Sequence, residues 1–200
     1  MTTGAPSPEG RPRRSRVVLW TASAAGVVVV VLAVVLATQV NTDPTFEGGP
    51  DLGGPAPEFD LPVLSPAVVD AEPPAETVSN ESLAGKAVIV NFWNSWCLPC
   101  RTEHDALAEF YDRHAEDADF AMVGIVRDDT DEAALAWVEE KGVDWTITSD
   151  PGARAALDFA TTGQPETYAI DPAGVVVAKQ LGEVDVDDLE AMLDRARGIG

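Results

Sequence analysis

Cys97 and Cys100 are the only cysteines in the 200-residue chain, and Leu98 and Pro99 separate them. Two thiols at this spacing, at the start of a helix, suit thiol–disulfide exchange. A helix N-terminus presents unpaired N–H groups and a partial positive charge. A cysteine at that end has its thiolate stabilised and its pKa lowered. Cys97 would attack a partner disulfide, a mixed disulfide would form, and Cys100 would resolve it. Pro99 is tolerated because the first helical turn needs no intrahelical donor there. Two other readings compete. A purely structural bridge closes so small a loop that it stabilises little. Metal binding needs further ligands, and the only histidines are His104 and His114. His104 follows Cys100 by four positions, so a Cys/Cys/His cluster is conceivable. One chain with two cysteines cannot build a four-cysteine zinc site or an iron–sulfur cluster. We assign no metal ligands and no cofactor beyond the redox-active pair itself.

The pair must be held by what surrounds it. Ala87–Trp93 (AVIVNFW) precedes it and reads as a strand buried on both faces. Phe120–Val126, Thr167–Ile170 and Val175–Leu181 read likewise, and Phe59–Leu64 adds an early strand. Helical patterns fall at Cys97–His114, Asp131–Lys141, Gly152–Ala160 and Val186–Ala196. Asp171–Gly174 is a turn signal, so the last two strands should pair as an antiparallel hairpin. The order is β-α-β-α, a short helix, then β-β-α. Residues 65–82, polar and proline-rich, read as a surface excursion.

The chain carries a formal charge of −21. So acidic a chain repels phosphate, which excludes nucleic-acid binding through a basic patch. The charge is unevenly placed. Four arginines and one acid lie in residues 1–40, against nine Lys/Arg and 33 Asp/Glu in residues 41–200. Val17–Thr38 holds no charged residue for 22 positions, about 33 Å of helix, enough to span a bilayer core. The positive-inside rule then puts residues 1–16 in the cytoplasm and the acidic remainder outside. A cleaved signal peptide ending near Ala37 is the competing reading, but the apolar run is longer than the usual core of one. Residues 39–56 form a Pro/Gly linker, and residues 57–197 form the folded domain. This organisation predicts a single-pass membrane protein with an extracytoplasmic domain.

Two motifs carry a family resemblance. Asn91-Phe92-Trp93-Asn94-Ser95-Trp96-Cys97-Leu98-Pro99-Cys100-Arg101 resembles the active-site stretch of thioredoxin-fold proteins. More narrowly it is similar to the membrane-anchored TlpA/ResA/CcmG (DsbE) group. Leu83–Lys86 before the strand fits that group, and Arg101–His104 looks most like the CcmG branch. Gly163-Gln164-Pro165-Glu166-Thr167-Tyr168-Ala169-Ile170-Asp171 resembles the group's cis-proline segment.

The resemblance implies an α/β thioredoxin fold, a central mixed sheet flanked by helices, behind an N-terminal transmembrane helix. It implies a cis Gln164–Pro165 bond facing the cysteines, with Trp96, Leu98, Pro99, Gln164 and Pro165 forming the substrate groove. Thioredoxin has a buried Asp six positions before its first cysteine; here Asn91 stands there and cannot accept a proton. Glu103 and Glu166 occupy the positions of the CcmG branch's acidic active site. They are therefore the candidate catalytic carboxylates. For Glu103 the competing reading is a solvated first-turn acid; for Glu166 it is a strand-edge charge. The implied activity is thiol–disulfide oxidoreduction, reducing exported proteins such as apocytochrome c during cytochrome c maturation. The implied partner is a membrane thiol carrier of the CcdA/DsbD type. Disulfide introduction by the same fold is one alternative. A copper-binding chaperone using Cys97, Cys100 and His104 is another.

Overall fold

The computed structural model describes residues 50, 52–65 and 76–199. Along the chain run β1 (Asp60–Ser65), β2 (Thr77–Ser79), β3 (Ala87–Trp93), α1 (Leu98–His114), β4 (Phe120–Val126) and α2 (Asp131–Lys141). There follow β5 (Thr146–Ser149), a 3₁₀ turn at Pro151–Ala153, α3 (Arg154–Asp158), β6 (Glu166–Ile170), β7 (Val176–Leu181) and α4 (Val186–Ala196). The segment read as an anchor, residues 17–38, lies outside the described residues. Among the described residues no helix is long and apolar enough to cross a membrane.

The strands form one mixed sheet in the order β2-β1-β5-β4-β3-β6-β7. β3, β4 and β5 are parallel, and β6 and β7 continue the sheet antiparallel. The expected hairpin is present, turning through Asp171–Gly174. Two strands were not foreseen. β5 has only four residues, too few for alternation to register. β2 lies inside the stretch read as an excursion and pairs antiparallel with β1.

Every residue of β3 is buried, as its unbroken apolar run requires. Its side chains divide by the two-residue period. Ala87, Ile89 and Trp93 pack under α1, α2 and α4. Val88, Val90 and Phe92 face the opposite layer with Phe59, Phe159, Tyr168 and α3. Asn91 therefore points to the α1 side. The helices start and stop on local signals. Thr130 caps α2, which ends at Gly142 in the left-handed conformation. Asp185 and Asp188 form a capping box on α4.

The domain begins earlier than residue 57. Gly53 donates to the Val176 carbonyl, Val176 to that of Gly54, and Ala56 to that of Gly174, at 2.8–2.9 Å. The last residues of the stretch read as linker are thus bound to the start of β7. An edge strand leaves N–H and C=O groups free, and a Gly/Pro segment can supply partners for them.

Gly124 in β4 has a packing role. A Cβ there would lie 2.6 Å from Ile147 Cδ1 and 2.9 Å from Trp93 Nε1. Gly124→Ala should therefore lower stability by about 1–3 kcal/mol through overpacking, read as a lower urea midpoint. An unchanged midpoint would show that the Ile147 and Trp93 side chains are free to retreat.

Candidate active site

β3 ends at Trp93 and α1 begins at Leu98, so the turn between them delivers both cysteines to the carboxyl end of the parallel strands. Cys97 and Cys100 are joined in a disulfide, with Cα atoms 5.3 Å apart. Cys97 is the N-cap of α1, and its Sγ accepts from the Cys100 N–H at 3.1 Å. That N–H belongs to the unpaired first turn and is oriented to stabilise a Cys97 thiolate once the bond is reduced. Pro99 sits in the first turn as expected. Both cysteines are nearly covered.

Trp96 and Leu98 are 64% and 75% exposed and flank Cys97, whereas Trp93 is core. The Gln164–Pro165 bond is cis. The Gln164 carbonyl oxygen lies 3.6 Å from Cys97 Sγ, so the two motifs meet at that sulfur. Gly182 donates to the Pro165 carbonyl, holding the far side of the segment.

The two candidate carboxylates occupy opposite faces of the sheet. Glu103 is buried one turn after Cys100. Its Oε1 accepts from Asn91 Nδ2 at 3.0 Å and its Oε2 from the Val184 N–H at 3.1 Å. Asn91 Nδ2 also reaches Thr167 Oγ1 at 3.0 Å. Burial pushes the Glu103 carboxyl up from 4.5 to about 7, against the two hydrogen bonds that favour its ionised form, with Glu183 adding a small upward push. The solvated reading of Glu103 does not hold.

Glu166 pairs across from Phe92 and points to the other layer, as the alternation with Thr167 dictates. Its Oε1 accepts from the N–H and hydroxyl of Thr162 and from the Gly163 N–H; its Oε2 accepts from the Tyr168 hydroxyl and meets Lys179 Nζ at 3.3 Å. Burial alone would raise its pKa, but the Thr162 and Tyr168 hydrogen bonds and the Lys179 charge bring it below the ordinary carboxylate value. Such a group stays ionised and holds the loop leading to Pro165. Its described partners are that loop, Tyr168 and Lys179, and neither cysteine is among them.

His104 packs edge-on against Trp137 with centroids 4.9 Å apart, and lies beside Trp145. Burial lowers its pKa. Among the described residues no three His, Cys, Asp or Glu side chains are grouped to hold a metal. Sequence reasoning passed over Arg127, Asp128 and Asp129. Asp129 Oδ2 accepts from Ser95 N–H at 2.7 Å and the Asp128 carbonyl from Trp96 Nε1 at 3.1 Å. The available signal was their place just beyond the carboxyl end of a parallel strand, where sites of α/β sheets gather.

A mixed sheet, a disulfide capping the helix after its central strand and a cis-proline loop beside it define a thioredoxin-fold thiol–disulfide oxidoreductase. The chain belongs to the Redoxin family, whose model matches residues 52–193. It is similar to the thiol:disulfide interchange protein DsbE of Allochromatium vinosum, 31% identical over 172 residues, covering 84% of this chain and 89% of that one. The DsbE of Pseudomonas aeruginosa is 32% identical over 156 residues, covering 78% and 80%. Among solved structures, a thiol:disulfide interchange protein of the thioredoxin family from Chlorobium tepidum superposes with a TM-score of 0.59. It is 27% identical, covering 71% of this chain and 94% of that one.

The raised Glu103 carboxyl has a signature in stability. The folded state keeps its proton up to about pH 7, whereas the unfolded chain releases it near 4.5. Stability from this group is therefore full below about 4.5 and lost as pH rises to about 7. Comparing Glu103→Gln with the native protein cancels the other carboxylates. The native-minus-variant difference in unfolding free energy should fall by roughly 3 kcal/mol between pH 4.5 and 8, measured by urea titration of the oxidised proteins. A difference that does not vary with pH would sink the assignment.

Proposed function

We propose that this protein is a membrane-tethered, extracytoplasmic reductant of disulfides in exported proteins, apocytochrome c among them, during cytochrome c maturation. The tether rests on the uncharged run at residues 17–38 with arginines before it. The direction and the substrate rest on the likeness to the CcmG/DsbE branch. In this reading the Cys97 thiolate attacks a substrate disulfide, forms a mixed disulfide and releases one substrate thiolate. Cys100 then gives its proton to Glu103, and its thiolate attacks Cys97 Sγ. The second substrate thiolate leaves, and the two electrons have passed to the substrate. A membrane dithiol carrier of the CcdA/DsbD type returns the Cys97–Cys100 disulfide to the dithiol.

The observation that carries the exchange chemistry of this reading is the buried carboxylate one turn behind Cys100. A base with pKa near 7 suits removal of a proton from a resolving thiol at neutral pH. Trp96, Leu98, Pro99, Gln164 and Pro165 border the groove in which an extended substrate lies, its backbone pairing beside the cis-proline. Glu166 positions that border through Thr162 and Gly163.

The reduction potential of the full chain in thiol buffers tests the direction. A value near −270 mV or below, roughly the thioredoxin scale, is expected of a dedicated reductant. A value of about −120 to −180 mV would overturn it in favour of disulfide introduction. Cys100→Ser should also trap a mixed disulfide through Cys97, visible by non-reducing electrophoresis and released by dithiothreitol.

A further inference from the structure

The loop that carries Pro165 is shaped locally by Glu166, which accepts from Thr162 and Gly163, four and three residues upstream. Contacts this short in sequence set the loop's form but not its distance from the dithiol. Downstream, Pro165 is fixed by the Glu166–Phe92 pairing and by Gly182. Upstream, Arg127 Nη1 donates to the Gly163 carbonyl at 3.1 Å, tying residues 162–164 to a different element.

The same residue grips the other motif. The Arg127 N–H donates to the Trp93 carbonyl at 2.9 Å. Its carbonyl accepts from Asn94 Nδ2 at 3.1 Å. Its Nε lies 3.3 Å from Asp128 Oδ2, and the guanidinium is mostly covered. Asp128 adopts φ +54°, uncommon for a residue with a side chain. From there its carbonyl receives the Trp96 indole N–H, and Asp129 receives the Ser95 N–H. The end of β4 therefore contacts each of Trp93, Asn94, Ser95 and Trp96, and through one guanidinium it contacts Gly163.

We propose that Arg127 is a positioning residue that sets the width of the substrate groove, holding the cis-proline loop at a fixed distance from the turn that presents Cys97. It touches neither sulfur. It acts on how well an extended disulfide substrate seats, and the intrinsic reactivity of Cys97 is independent of it. Opposite charges thus divide the loop: Glu166 takes its N–H groups, and Arg127 takes its carbonyl. The inference rests on the exchange reaction proposed above and adds to it the residue that governs substrate seating.

The test compares the native full chain with Arg127→Met and Arg127→Lys, each fully reduced. The substrate is a twelve-residue peptide with an internal disulfide, turned over with glutathione as the recycling reductant, and the small probe, used without glutathione, is iodoacetamide. Arg127→Met should raise KM for the peptide tenfold or more, with kcat, the iodoacetamide rate at Cys97 and the reduction potential unchanged. Arg127→Lys keeps a donor within reach of the Gly163 carbonyl, and its KM should stay within threefold of native. If Arg127→Met fails to fold by circular dichroism, Arg127→Gln replaces it, with the same expected rise, because its amide falls short of that carbonyl. A KM within twofold of native in the neutral variant overturns the proposal. So does a parallel fall in the iodoacetamide rate, which would mean a general disturbance of the dithiol. The native arm reports on the exchange reaction separately: no peptide turnover there overturns that reading before any variant is compared.

Discussion

A carboxyl group buried behind a disulfide is the constraint around which this domain is organised. Glu103 has two hydrogen-bond donors in place of bulk water, and they come from two distant parts of the chain. Asn91 must sit on the α1 side of β3 to supply one, and Val184 must bring its N–H in just before α4 to supply the other. An ionised carboxylate in such a place is disfavoured unless several donors satisfy it. Two donors leave it balanced near neutrality. The sheet register, the start of α1 and the approach to α4 all have to agree for that balance to exist. Stability is given up at this point, because the two donors offset only part of the cost of burial.

The second buried carboxylate shows how strongly environment decides behaviour. Glu166 is as buried as Glu103 by side-chain exposure, yet its pKa moves the opposite way. It has five polar partners, one of them cationic, where Glu103 has two neutral ones. One acid can trade a proton while the other remains a fixed negative charge. The sheet keeps them apart by the two-residue alternation that sends Glu166 and Thr167 to opposite faces. Thr167, on the Glu103 side, shares the Asn91 amide with it.

Much of this was legible in the residues themselves. β3 announces itself as an uninterrupted apolar run. The dithiol marks a helix start, and Gly163–Asp171 marks the facing loop. Each signal is local, so each survives without knowledge of the rest. What was not legible depends on pairing. β5 is too short to show a period, and it is a strand because β4 and β1 lie on either side of it. The direction of the Glu166 side chain follows only from its register opposite Phe92. Gly53–Ala56 has the composition of a linker and is bound to the sheet because the start of β7 had unpaired backbone groups. Arg127 resembled any other charge at the end of a strand, since its partner is a carbonyl 36 residues away that no side-chain pattern reveals.

The attachment of Gly53–Ala56 also fixes which pole of the domain is held. Val176 pairs with Ile170, which pairs with Val88, at the opposite end of the strands from Phe92, Glu166 and the cysteines. The chain therefore enters the fold at the pole farthest from the sulfurs, about 15–20 Å away along β3. The path of residues 53–56 closes the free edge at that pole and leaves the exposed Trp96 and Leu98 beside Cys97 clear.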